Sequence, residues 1–142
     1  MKKLYVIVVF LQIFTAFTLG AQDKDLRSVF FSNEIELNEY IVMPEVLMYK
    51  IRNGDNDFVL YDIREREKYN KKHITGAVNY PWDDQTFQNS ADIFPVDKDI
   101  FIISEDGSVS FDAVRYLLKK GFSQMYVIEG GMENWLYRDL LI

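Results

Sequence analysis

Asp99-Ile100-Phe101-Ile102-Ile103-Ser104-Glu105-Asp106-Gly107-Ser108-Val109-Ser110 is the stretch whose reading decides the fold. Ile100 to Ile103, apolar without a break and bounded by Asp99 and Ser104, reads as a strand buried on both faces of a parallel sheet. The next six residues read as a tight loop, and the apolar spacing from Ser110 to Lys120 reads as a helix that stops before Gly121. The first amides of such a helix point back into the loop and make a nest of N–H groups, which binds anions and activates nucleophiles. Ser104 stands at the strand tip, where a nest of this kind activates a thiolate, and the chain contains no cysteine.

Outward from that stretch the chain alternates short apolar strands with helical patterns. Tyr40-Ile41-Val42 reads as a short strand and Pro44 as the first residue of a helix to about Arg52, with Val46, Leu47 and Ile51 on its inner face, closed by Asn53-Gly54-Asp55. Phe58 to Tyr61 is a second buried strand that stops at Asp62-Ile63-Arg64, and Glu65 to Asn70 is a short charged turn of helix. Gly76 supplies a turn, Ala77 to Asn79 a brief strand closed by Pro81, and Trp82 to Ser90 an irregular or weakly helical crossing. After the opening stretch, Phe111, Val114, Leu117 and Leu118 form the inner face of its helix. Met125 to Ile128 is the last strand, Glu129-Gly130-Gly131 a turn, and Met132 to Leu140 a final helix presenting Trp135, Leu136 and Leu140. The alternation calls for a three-layer α/β fold with a mostly parallel sheet, whose ligands sit at the carboxyl ends of the strands.

Length and composition set the bounds. The 142 residues, 49% hydrophobic and 15% aromatic, make one domain with ample material for a core. Residues 1–21 read as a cleaved secretory signal: Lys2 and Lys3, an apolar run from Leu4 to Leu19 interrupted by Gln12, Thr15 and Thr18, then Gly20-Ala21. An uncleaved anchor is the rival reading, although the run is short and speckled with polar residues for a span of roughly 20 apolar residues. Lipoprotein processing needs a cysteine and is excluded. Residues 22–39 read as a leader with a short strand near Phe30, and residues 40–142 as the domain.

Removing residues 1–21 takes away Lys2 and Lys3 and no acid, so the formal charge of −6 becomes −8. That balance speaks against nucleic acid and against anionic membrane surfaces, leaving membrane contact to the signal during export. Without cysteine there are no disulfides, no thiol catalysis and no thiolate metal site, and the single histidine, His73, excludes the usual clustered His/Cys sites. No cofactor is expected, and the location expected is periplasmic or secreted.

Four motifs in order resemble a single rhodanese-like domain over about residues 40 to 137. They are Asp62-Ile63-Arg64-Glu65; His73-Ile74-Thr75-Gly76-Ala77-Val78-Asn79 with Pro81; a strand with a six-residue loop; and Gly121-Phe122 with Glu129-Gly130-Gly131-Met132-Glu133-Asn134-Trp135. The resemblance implies a three-layer α/β/α fold with a five-stranded parallel sheet. In active members it also implies a loop-initial cysteine that carries a sulfane sulfur, in a loop reading Cys-x-x-Gly-x-Arg-Ser. Laid on this sequence, Gly107 and Ser110 are kept, while Ser104 takes the place of the cysteine and Val109 that of the arginine.

Chemistry agrees with the loss. A serine hydroxyl is far less acidic than a thiol and holds no persulfide, because sulfur transfer needs a thiolate and an S–S linkage. Glu105 and Asp106 repel an anion at the nest by on the order of 1 kcal/mol each at an exposed site, and Val109 removes the guanidinium that offsets them. The expected function is therefore a non-catalytic binding or scaffolding module of the cell envelope, with an unknown protein or small molecule as partner. The candidate ligand-binding residues are Ser104, Glu105, Asp106, Gly107, Ser108, Val109 and Ser110, joined at the rim by Asp62 and Arg64, which read in the first place as a structural pair fixing the strand end. Two alternatives stand beside it: a Ser104 nucleophile with His73 as base and Asp62 behind it for hydrolytic or phosphoryl chemistry, and a loop that binds a small neutral or cationic ligand.

Overall fold

The computed structural model describes residues 37–142. The secretory signal, nearly all of the leader and the strand expected near Phe30 lie outside the described residues.

Pro44 begins the helix that follows Met43 because the chain enters it extended there, where φ is −68° and ψ 147°, and a proline ring already holds the helical φ. This helix, α1 (Pro44–Arg52), carries Glu45 in its first turn and Lys50 and Arg52 in its last, charges that suit the helix dipole. Before it runs β1 (Ile41–Val42), and after it come β2 (Phe58–Asp62), α2 (Arg66–Lys71), β3 (Ala77–Asn79) and α3 (Thr86–Ser90). A 3-10 turn (Ala91–Ile93) leads to β4 (Asp99–Ile103), α4 (Ser108–Lys119) and β5 (Met125–Ile128).

All five strands are parallel, in the order β1-β5-β4-β2-β3. The apolar runs of β2 and β4 are continuous because both faces of the sheet are covered. Ile100 and Ile102 pack with Tyr61, Phe87, Val114 and Leu117 beneath α3 and α4. Phe101 and Ile103 pack with Leu60, Leu47 and Trp135 on the side of α1 and α2. Each of these wholly buried side chains contributes roughly 1.5–3 kcal/mol, and together they make three layers around a sheet one strand thick.

Register places the candidate site. Asp62 pairs with Ile103, so β2 and β4 end level and Ile63 N–H reaches Ile103 O at 2.9 Å. The Asp62–Arg64 segment and the Ser104 loop consequently leave the sheet side by side.

Four expectations are corrected. α4 begins at Ser108, two residues early, which shortens the loop, because Asp106 holds the Ser108 amide. Its buried residues are Ser110, Ala113, Val114 and Leu117, Phe111 packs half-buried against the same core as expected, and Leu118 turns outward. On α1 Leu47 is buried and Ile51 packs against the same core as expected, Pro44 is buried with them, and of the expected residues only Val46 is turned to solvent. The final helix over Met132 to Leu140 is absent: turns run to Asn134, irregular backbone follows to Tyr137, a 3-10 turn (Arg138–Leu140) closes the stretch, and Leu136 is 77% exposed. The amides of Met132 and Glu133, which a first helical turn leaves free, are taken by Ser104 O at 2.9 Å and Glu105 O at 3.0 Å. Beyond them the amides close short turns, Trp135 to Met132 O at 3.3 Å, Arg138 to Leu136 O at 3.1 Å and Leu140 to Tyr137 O at 3.1 Å, so no i to i−4 ladder is built.

Candidate functional site

Ser104 follows the last residue of β4 and is 3% exposed. Its hydroxyl oxygen accepts the Gly107 N–H at 3.1 Å and lies 3.0 Å from the hydroxyl of Ser110, which is fully buried. The backbone turns back this tightly because Gly107 takes φ +90°. There its Cα faces Gly130 N and Gly131 N, which a Cβ would approach to 3.3 and 3.5 Å. The strand-tip oxygen thus sits in the cradle expected of the nest, held by an amide of its own loop and a hydroxyl from the first turn of α4.

The loop's two carboxylates are engaged as well. Asp106 accepts both the N–H of Ser108, at 2.9 Å, and its hydroxyl, at 2.6 Å. Those two donors hold the Asp106 carboxyl below the usual carboxylate range. Glu105 turns away to the Lys68 ammonium on α2, 2.9 Å distant, and this contact raises the lysine above its ordinary value. Both partners are about half exposed, so the pair is worth little as stability, but it ties α2 across to the loop. Val109 is partly buried against the core cluster beneath α3 and α4 and brings no charge to the rim.

Beside the loop, Asp62 and Arg64 form a buried fork. Arg64 Nη2 donates to Asp62 Oδ2 at 2.6 Å and Nε to Asp62 Oδ1 at 3.0 Å, with Asp62 wholly buried and Arg64 8% exposed. The guanidinium also donates to Lys72 O at 2.8 Å, and Asn79 Nδ2 clasps the Asp62 and Arg64 carbonyls at 2.9 Å each. Both carboxylate oxygens of Asp62 and the Nε and Nη2 donors of Arg64 are spent on the fold, and removing one partner from a buried pair of this sort costs about 3–5 kcal/mol.

His73, the base of the triad alternative, bonds elsewhere. Its Nδ1 lies 2.9 Å from Tyr69 O and its ring stacks on Tyr69 at 3.8 Å between centroids. Since a carbonyl only accepts, Nδ1 carries the proton in that bond. Neither His73 nor Asp62 hydrogen-bonds the Ser104 hydroxyl, and among the described residues no group of three or more His, Cys, Asp or Glu side chains is placed to hold a metal.

The profile of the rhodanese-like domain matches residues 44–137, two thirds of the chain. The chain belongs to the rhodanese-like domain family. The rhodanese-like domain is 34% identical over 77 residues to the thiosulfate sulfurtransferase GlpE of Pseudomonas entomophila, covering 54% of this chain and 69% of that protein. It is 29% identical over 96 residues to the putative sulfur carrier protein YrkF of Bacillus subtilis, covering 66% of this chain and 51% of that one, so it spans about half of that relative's length. Among solved structures it is similar to a rhodanese-like domain from Anabaena, with a TM-score of 0.60 and 26% identity over 68% of this chain and 72% of that one. In this rhodanese-like domain the position of the family's cysteine is held by Ser104, and no cysteine stands anywhere else in the chain.

Two residues of this rhodanese-like domain escaped sequence reasoning. Lys68 lies near Glu105 only because β2 and β4 end level, which no local pattern announces. Gly131, visible beforehand only as half of a Gly-Gly turn, lies against the loop at φ +58°, and a Cβ there would stand 2.5 Å from Ser104 O and 2.7 Å from Glu105 O.

Proposed function

We propose that this chain is an exported rhodanese-like domain that binds rather than catalyses, serving as a scaffolding module of the cell envelope. The observation that carries the reading is Ser104 at the tip of β4, its oxygen captured by Gly107 N–H and Ser110 inside an otherwise family-like loop. A hydroxyl in that cradle forms no persulfide. With Asp106 turned onto Ser108 and Glu105 onto Lys68, the loop presents a finished surface rather than a nucleophile. The ligand-binding residues proposed are 104 to 110, with Asp62 and Arg64 supporting them from behind.

The deciding measurement is thiosulfate:cyanide sulfurtransferase activity of the purified protein. Background turnover is expected, and cyanide-dependent thiocyanate release above background overturns the reading. Export rests on Lys2, Lys3 and the apolar run to Leu19, and sequencing the N-terminus of protein recovered from the envelope fraction should find it after residue 21. A thermal-shift screen separates the two kinds of partner: a small neutral or cationic ligand at the loop raises the melting temperature by mass action, whereas a protein partner missing from the screen does not.

A further inference from the structure

No further inference is drawn: the strongest candidate, the apolar outer side of the first helix, where Met43, Val46 and Tyr49 are exposed, carries nothing because nothing in the structure shows what covers it.

Discussion

At the scale of single residues, the loop keeps two hydrogen-bond donors aimed at the strand tip, although it has lost both the thiol and the guanidinium. The Gly107 amide and the Ser110 hydroxyl converge on the Ser104 side chain, and α4 aims its N-terminus there. Ser104→Cys should therefore give a thiol with a pKa below the free value of about 8.5. The rate of iodoacetamide alkylation against pH measures it, and a midpoint at or above that value contradicts the cradle. Asp106 supplies a second reading. Its carboxyl is held low by the hydroxyl and amide of Ser108, so the contact stabilises the fold above the unfolded value of about 3.9 and is lost as pH falls through the folded value. Melting temperatures of the wild type and Asp106→Ala should differ at pH 7 and converge from about pH 4 downward.

At the scale of elements, most of what positions the site was legible. β2, β3, β4 and β5 follow from apolar runs closed by Asp62, Pro81, Ser104 and Glu129, and α1 from Pro44 and the Asn53-Gly54 stop. The start of α4 was misplaced by two residues because an Asp106 side chain, not an apolar period, sets it. The segment after β5 was misread for a related reason. Trp135 and Leu140 have inward-facing character, yet Gly130 and Gly131 both adopt left-handed φ and the amides of Trp135, Arg138 and Leu140 close short turns instead of a helical ladder. Gly131→Ala tests how firmly that segment props the loop. The left-handed backbone alone costs about 1–2 kcal/mol, and the overlap with Ser104 O and Glu105 O should bring the loss to about 3 kcal/mol in urea unfolding. Gly54→Ala, at φ +67° with open space around it, should lose only the backbone part, about 1 kcal/mol.

At the scale of the whole molecule, the fold was readable from four motifs in order, whereas the site was readable only in its losses. A missing cysteine and a missing arginine are visible in the letters. That Glu105 is bound to Lys68 depends on register between β2 and β4, which the sequence does not print, whereas the Asp62–Arg64 pair lies within one segment and needs no register.

The two-residue edge strand β1 has a kinetic consequence. It joins the sheet by pairing Ile41 with Val127 and Val42 with Ile128, at opposite ends of the described chain, whereas β2 and β4 share five register pairs much closer in sequence. Loop-closure entropy opposes so distant a pairing, so β1 should dock late in folding and open early from the native state. In native-state hydrogen exchange the Val127 amide, which donates to Tyr40 O at 2.7 Å, and the Glu129 amide, which donates to Val42 O at 3.0 Å, should exchange well before those of Ile100 to Ile103. Equal protection of the two sets would mean that the chain closes its most distant strand pairing together with its core.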